Sequence, residues 1–321
     1  MKIALCQINP VIGDFVNQYN RITEMVTDAK DKGCDLAVFP ELALCGYPPR
    51  DLLEQKAFVD ANRHCLDRLV NTIRGIGVIV GYVDVNPGRT GNRLFNSAAL
   101  FEDGEVVTRV NKQLLPTYDV FDERRYFEPG EPSTPIPYKN HRLGLTICED
   151  AWNDKEIFKR RKYTPDPVAQ LAADGADVIV NISASPFHIG KIRFRDRLLS
   201  TEARRHGVVM VFVNQVGGND HILFDGSSTV YDRQGALTAR ARDFQEDLLI
   251  HDIIGETAGD STETSIRSES RENRPEQDHR VEAAATAMKA LVMGTRDYVT
   301  KCGFRKVVVG LSGGIDSALT A

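Results

Sequence analysis

Over residues 1–255 one pattern recurs: a short run of Val, Ile, Leu, Ala and Phe, then a polar or helix-spaced stretch, then another such run. The runs KIALCQI, CDLAVFPELAL, GVIVGYV, FNSAALF, EVVTRVN, HRLGLTIC, DVIVNISA, VVMVFVNQV, SSTVYD and DLLIHDI have the length and β-branched content of strands. Several are apolar at every position rather than at alternate ones, so both faces of their sheet must be covered. Between them lie stretches with helical spacing. Asn17 is placed to cap a helix whose Ile22, Met25, Val26 and Ala29 share a face and which Gly33 stops; others run near 58–73 and 191–206. The expected class is α/β with many strands, without a fixed-period repeat.

The pattern breaks after residue 255. Residues 256–280, within GETAGDSTETSIRSESRENRPEQDHR, hold no aromatic and a single Ile266 among Ser, Thr, Glu and Arg. Such a segment buries too little apolar area to offset its ordering entropy, so it reads as a flexible linker. Beyond it, Val281, Ala284, Ala285, Met288, Leu291 and Val292 return at helical spacing, and Cys302 and Gly303 close that helix. KVVVGLSGGIDSALTA then predicts a strand, a glycine turn and a helix start. One helix, one strand and part of another helix make no core. Residues 281–321 therefore read as the incomplete beginning of a second domain, and the chain as a fragment of a longer polypeptide.

Composition narrows the function classes. With 321 residues and 42% apolar content, the chain can bury a substantial core. A net charge of -5 argues against the basic face that nucleic acid or an anionic membrane requires. The six cysteines show no CxxC spacing, and Cys6, Cys34, Cys45, Cys65 and Cys302 read as core packing, as expected of a cytoplasmic protein. The seven histidines lack metal-ligand spacing, so no metal is expected in the first domain.

Three segments place a reactive group at the end of an apolar strand, where α/β folds expose such side chains. They are AVFPELALCGYPPRD with Glu41, TRVNKQLLPTYDVFDERRYFEPG with Lys112, and GLTICEDAW with Cys148. The last is puzzling, because Glu149 and Asp150 directly follow the thiol and negative charge opposes a thiolate. If the three segments meet, the Lys112 ammonium counters those neighbours and favours a thiolate, Glu41 takes the thiol proton and later activates water, and Cys148 attacks a carbonyl. Glu149 and Asp150 are then free to orient backbone or nearby side chains. Read singly, Cys148 is a packed core thiol and Lys112 a solvated lysine; the flanking motifs give them roles.

This triple pattern resembles the nitrilase, or carbon-nitrogen hydrolase, superfamily over roughly the first 255 residues. The resemblance implies an α-β-β-α sandwich, with Glu41 as base, Lys112 as electrophilic support, Cys148 as nucleophile and Glu123 as an additional carboxylate. FPELALCGYPPRDLL, NKQLLPTYDVFDERRYF, ICEDAW and NISASPFHIGK are similar to the glutaminase domains of glutamine-dependent NAD⁺ synthetases. GLSGGIDSALTA is similar to their ATP-pyrophosphatase loop, of the adenine nucleotide alpha hydrolase type. That likeness implies that Tyr118, Ser185 and Lys191 hold L-glutamine. Gly310, Leu311, Ser312, Gly313, Gly314, Ile315, Asp316 and Ser317 would line an ATP phosphate site. It further implies Mg²⁺ and deamido-NAD⁺ at the second site, ammonia passing between sites, and a homo-oligomer. NDKEIFKRRKYTPDPVAQ, after Trp152, is longer than that family usually has. Two alternatives stay open: a stand-alone amidase acting on another small amide, and a glutamine-binding module without turnover.

Overall fold

The structure is a computed structural model and describes residues 1–160, 162–253 and 276–321. The first half contains strands β1 (Lys2–Gln7), β2 (Leu36–Val38), β3 (Gly77–Val85), β4 (Leu94–Glu102) and β5 (Glu105–Asn111), with helices α1 (Phe15–Asp31) and α2 (Lys56–Thr72). The second half contains β6 (Ile136–Tyr138), β7 (His141–Ile147), β8 (Val178–Ser183), β9 (Val209–Asn214), β10 (Val216–Asn219), β11 (Ile222–Asp225), β12 (Thr229–Tyr231), β13 (Leu237–Arg240) and β14 (Asp247–Asp252), with helices α3 (Pro167–Ala173) and α4 (Lys191–His206). Two six-stranded sheets result, ordered β14-β1-β2-β3-β4-β5 and β13-β12-β9-β8-β7-β6, and β10-β11 is a separate hairpin.

The wholly apolar runs follow from this layering. Strand side chains alternate between faces, so Ile3 and Leu5 point between the sheets, where they join Leu143, Leu145, Val178, Val180 and Val211. Ala4 and Cys6 point the other way and pack with Ile22, Met25 and Val26 of α1 and Leu66 and Leu69 of α2. On the far side Ile179, Met210 and Phe212 meet Val168 and Leu171 of α3 and Leu199 and Ala203 of α4. Helix, sheet, sheet, helix is the α-β-β-α sandwich expected from the resemblance.

Several local expectations change. Asp14, not Asn17, caps α1: its Oδ1 accepts from the Asn17 N–H at 3.2 Å, while Asn17 Nδ2 donates to Asp14 Oδ2 at 2.6 Å. An acceptor is needed one residue before the first turn, and Asn17 lies inside it. A long helix, α5 (Glu276–Lys301), begins within the stretch read as linker, so residues 276–280 are helical and the remaining linker residues lie outside the described ones. Gly303, at φ +77°, follows its end as expected. Residues 305–309 form no strand; Val308 is 99% exposed, and among the described residues no strand lies beside them to complete a ladder. A short helix α6 (Ile315–Thr320) follows. Helix α5 packs on the β10-β11 hairpin, with Ala290 and Met293 against Val216 and Phe244. All six cysteines are free; Cys302 is exposed rather than packed, and the others are buried. Among the described residues no helix is long and apolar enough to cross a membrane.

Candidate active site

Glu41 follows β2 on a turn held against β3. The Phe39 N–H donates to the Ile79 carbonyl and the Leu44 N–H to the Gly81 carbonyl, while the Gly81 N–H donates back to Pro40. Gly81 is required here, because a Cβ would sit 2.4 Å from the Leu42 nitrogen and 2.7 Å from the Glu41 Cα. Lys112 leaves the end of β5, its N–H bonded to the Asn96 carbonyl of β4 at 2.8 Å. Cys148 directly follows β7 and opens a single 3-10 turn, Cys148–Ala151. Leu42 and Cys148 have φ of +46° and +43°, a region costly for side-chain-bearing residues and often retained at functional turns.

These strand ends bring Glu41, Lys112 and Glu123 into one hydrogen-bonded cluster. Lys112 is 1% exposed, and its Nζ donates to Glu41 Oε1 at 2.7 Å and Glu123 Oε1 at 2.8 Å. Glu41, wholly buried, also accepts from Asn96 Nδ2 at 2.7 Å and, through Oε2, from the Ala184 N–H at 2.9 Å. Glu123 Oε1 takes a further bond from Tyr47 Oη at 2.8 Å, while Glu123 Oε2 is buried with no partner among the described residues. A cavity of about 440 Å³ opens on the Glu123 side, lined by Tyr47, Phe121, Glu123, Tyr126 and His221 among others.

Charge and burial oppose each other throughout. Burial alone would lower the Lys112 pKa, but Glu123 and Glu41 outweigh it and hold the group as an ammonium well above the ordinary lysine range. Burial pushes Glu123 up to about 7 despite Lys112, with Glu41 adding to the rise. Cys148 feels the same groups. Burial and then Glu41 raise its thiol well above the usual value, and Lys112 only partly offsets them. Lys112 acts in the expected direction, toward a thiolate, but in the resting site burial and Glu41 outweigh it. The sulfur therefore keeps its proton until a base removes it.

The acidic pair after Cys148 has separate work. Asp150 accepts from three backbone N–H groups, Gln113, Leu114 and Ile147, at 2.8–3.0 Å, and so pins the segment after Lys112 to the Cys148 turn. Glu149 accepts from Tyr118 Oη at 2.7 Å and from Tyr163 Oη at 3.0 Å. Tyr118 is therefore placed beside Glu149. Ser185 is buried next to Ala184, its N–H on Asn214 Oδ1 at 2.9 Å. Lys191 opens α4 with Nζ 4.2 Å from the centre of the Trp152 ring, in the field of Cys148 and Glu149. The sequence reading missed Tyr47, Asn96 and Tyr163. Asn96 left a trace, a polar pair with Ser97 inside the strand run FNSAALF; Tyr163 comes from the long stretch after Trp152.

The second set of expected residues stands apart. Gly310–Asp316 are exposed and Ser317 is half-buried; Ser312 Oγ lies 3.1 Å from Ser317 Oγ and 3.4 Å from the Gly314 N–H. Among the described residues no strand stands behind this exposed loop. Among the described residues no group of three or more His, Cys, Asp or Glu could hold a metal ion.

The carbon-nitrogen hydrolase family model matches residues 2–260, and the NAD synthase model matches residues 287–321. The chain is 42% identical over 325 residues to a glutamine-dependent NAD(+) synthetase of Synechocystis sp., covering 99% of this chain and 56% of that protein. It is 36% identical to the Thermotoga maritima protein of the same name, covering all of this chain and 57% of that one. The chain thus spans about half the length of the curated relatives it matches. Among solved structures, the glutamine-dependent NAD+ synthetase of Acinetobacter baumannii in complex with ADP superposes with a TM-score of 0.82 at 34% identity, covering 99% of this chain and 56% of that one. An amidase from Nesterenkonia sp. AN1, with the acetamide moiety of fluoroacetamide added covalently at its active-site cysteine, gives 0.66 at 26% identity, covering 79% and 90%. The sandwich, the buried Glu41-Lys112-Glu123 cluster beside Cys148 and the match over residues 2–260 together establish that the chain belongs to the carbon-nitrogen hydrolase family.

Proposed function

We propose that residues 1–255 are a glutaminase that releases ammonia from L-glutamine through a thioester on Cys148. The observation that carries this reading is the fully buried Lys112 ammonium, held between Glu41 and Glu123 in the field of a strained strand-end cysteine. Glu41 removes the thiol proton as the sulfur attacks the side-chain amide carbon. Lys112 and a backbone N–H near Cys148 receive the oxyanion. Lys112 cannot serve as the base, because its carboxylate partners keep it protonated. Glu41 then passes its proton to the amide nitrogen, the C–N bond breaks and ammonia leaves. Water loses a proton to Glu41 and attacks the thioester; glutamate departs and the proton returns to sulfur.

Three groups support glutamine over a simple amide. Tyr118 with Glu149, Ser185 and Lys191 supply polar and charged contacts beyond the reacting carbonyl, which an aliphatic amide leaves unused. The relatives are also named as glutamine-dependent. In a longer protein of that kind the ammonia would serve the ATP-dependent amidation of deamido-NAD⁺ to NAD⁺. Residues 281–321 would begin that second domain, after a linker over 256–280 shortened by the start of α5. Ammonia release from L-glutamine, compared with that from propionamide and butyramide, tests the reading. Preference for glutamine by kcat/KM is expected, and preference for an aliphatic amide would favour a stand-alone amidase.

A further inference from the structure

Helix α5 ends in two charged side chains that reach into the first domain. Asp297, 4% exposed, accepts from Asn9 Nδ2 and from the Gly218 N–H, both at 2.8 Å. One turn later Lys301 Nζ is surrounded by four acceptors: Asn9 Oδ1 at 2.6 Å, Asn219 Oδ1 at 2.9 Å, and the Pro10 and Gly218 carbonyls at 3.0 Å. Contact is close, since a Cβ on Gly294 would lie 2.7 Å from Leu223 Cδ2. Holding a lysine this way sacrifices side-chain freedom that a solvated lysine keeps.

The acceptors of Lys301 lead to the catalytic cluster. Asn219 Nδ2 donates to the Tyr47 carbonyl at 2.9 Å, and Phe224 of the same hairpin packs edge-on to the Tyr47 ring, centroids 6.1 Å apart. Tyr47 Oη in turn donates to Glu123 Oε1, the atom that also accepts from Lys112. The path from Lys301 to Lys112 is continuous. We infer that Lys301 is a positioning residue for the Cys148 site: by fixing Asn219 and the β10-β11 hairpin it holds Tyr47, whose hydroxyl holds Glu123 against Lys112.

The effect on turnover rests on the glutaminase reading, but the effect on the reactivity of Cys148 does not. The titratable groups facing Glu123 are Lys112, Glu41, Tyr47, Cys148 and Tyr163; those facing Lys301 are Asp297 and Glu246. The Tyr47 hydroxyl favours the Glu123 carboxylate, so displacing it raises the pH at which Glu123 ionises. The test compares wild type, Lys301→Met, Tyr47→Phe and the double variant. Ammonia release and carbamidomethylation of Cys148 by iodoacetamide are followed against pH, the latter by the mass of the peptide that carries it.

Lys301→Met is expected to lower kcat about three- to ten-fold with little change in KM. It is also expected to move the limb near pH 7 upward in both profiles, as Tyr47→Phe does, and the double variant should go no further than either single one. Unmoved profiles, or effects that multiply in the double variant, would overturn the inference. Asn219→Ser breaks the same path without touching α5 and replaces Lys301→Met should that variant fail to fold. If wild type releases no ammonia from glutamine, the glutaminase reading fails while the alkylation profile still decides the role of Lys301.

Discussion

Burying an ammonium is expensive, and Lys112 is tolerated because two carboxylates meet it within 2.8 Å. That arrangement leaves the second carboxylate, Glu123, with one oxygen unpartnered among the described residues and an ionisation pushed up to about 7. Because this lies above the ordinary glutamate value of 4.5, the folded protein keeps a proton that the unfolded chain releases between the two values. Stability from this group is therefore full below about pH 4.5 and is lost as pH rises through about 7. Glu123→Gln fixes the neutral form. Urea denaturation of the variant at about pH 5 and 8 is expected to show a smaller fall in stability than wild type. Asp150, also lifted to about 7 by burial, keeps part of the slope in both proteins. An unchanged slope would mean that Glu123 is already ionised across this range.

At the scale of elements, the site depends on how closely the Glu41 turn lies on β3. Gly81→Ala puts a methyl group against Leu42 and Glu41. A loss of about 1–3 kcal/mol in stability is expected from the overpacking. Displacing the base by about 1 Å should lower kcat about 10²-fold, measured as ammonia release. The strands were legible in the sequence because a covered sheet writes itself as runs such as VIVNIS and VMVFVN. Glu41, Lys112 and Cys148 were legible because each ends or follows such a run. Tyr47 was not, and Asn96 showed only as a polar residue inside a strand run, since their contacts depend on which strands pair and in what register, as when Val83 of β3 faces Asn96 of β4. The run at 305–309 misled for the opposite reason: β-propensity makes no strand without a partner.

For the whole molecule, the described chain divides its chemistry unevenly. Residues of the sandwich converge on one buried site, whereas the exposed 310–317 loop has neither a strand behind it nor a second wall. The 321-residue chain by itself is therefore expected to form no NAD⁺ from deamido-NAD⁺, ATP and glutamine, as measured by chromatography, while still producing glutamate. The most direct test of the account is to quench the protein with acid during turnover of L-glutamine and weigh the peptide containing Cys148. A γ-glutamyl adduct on that peptide, absent from Cys148→Ala together with glutamate production, is the result expected. Glutamate production that continues undiminished in Cys148→Ala would contradict it.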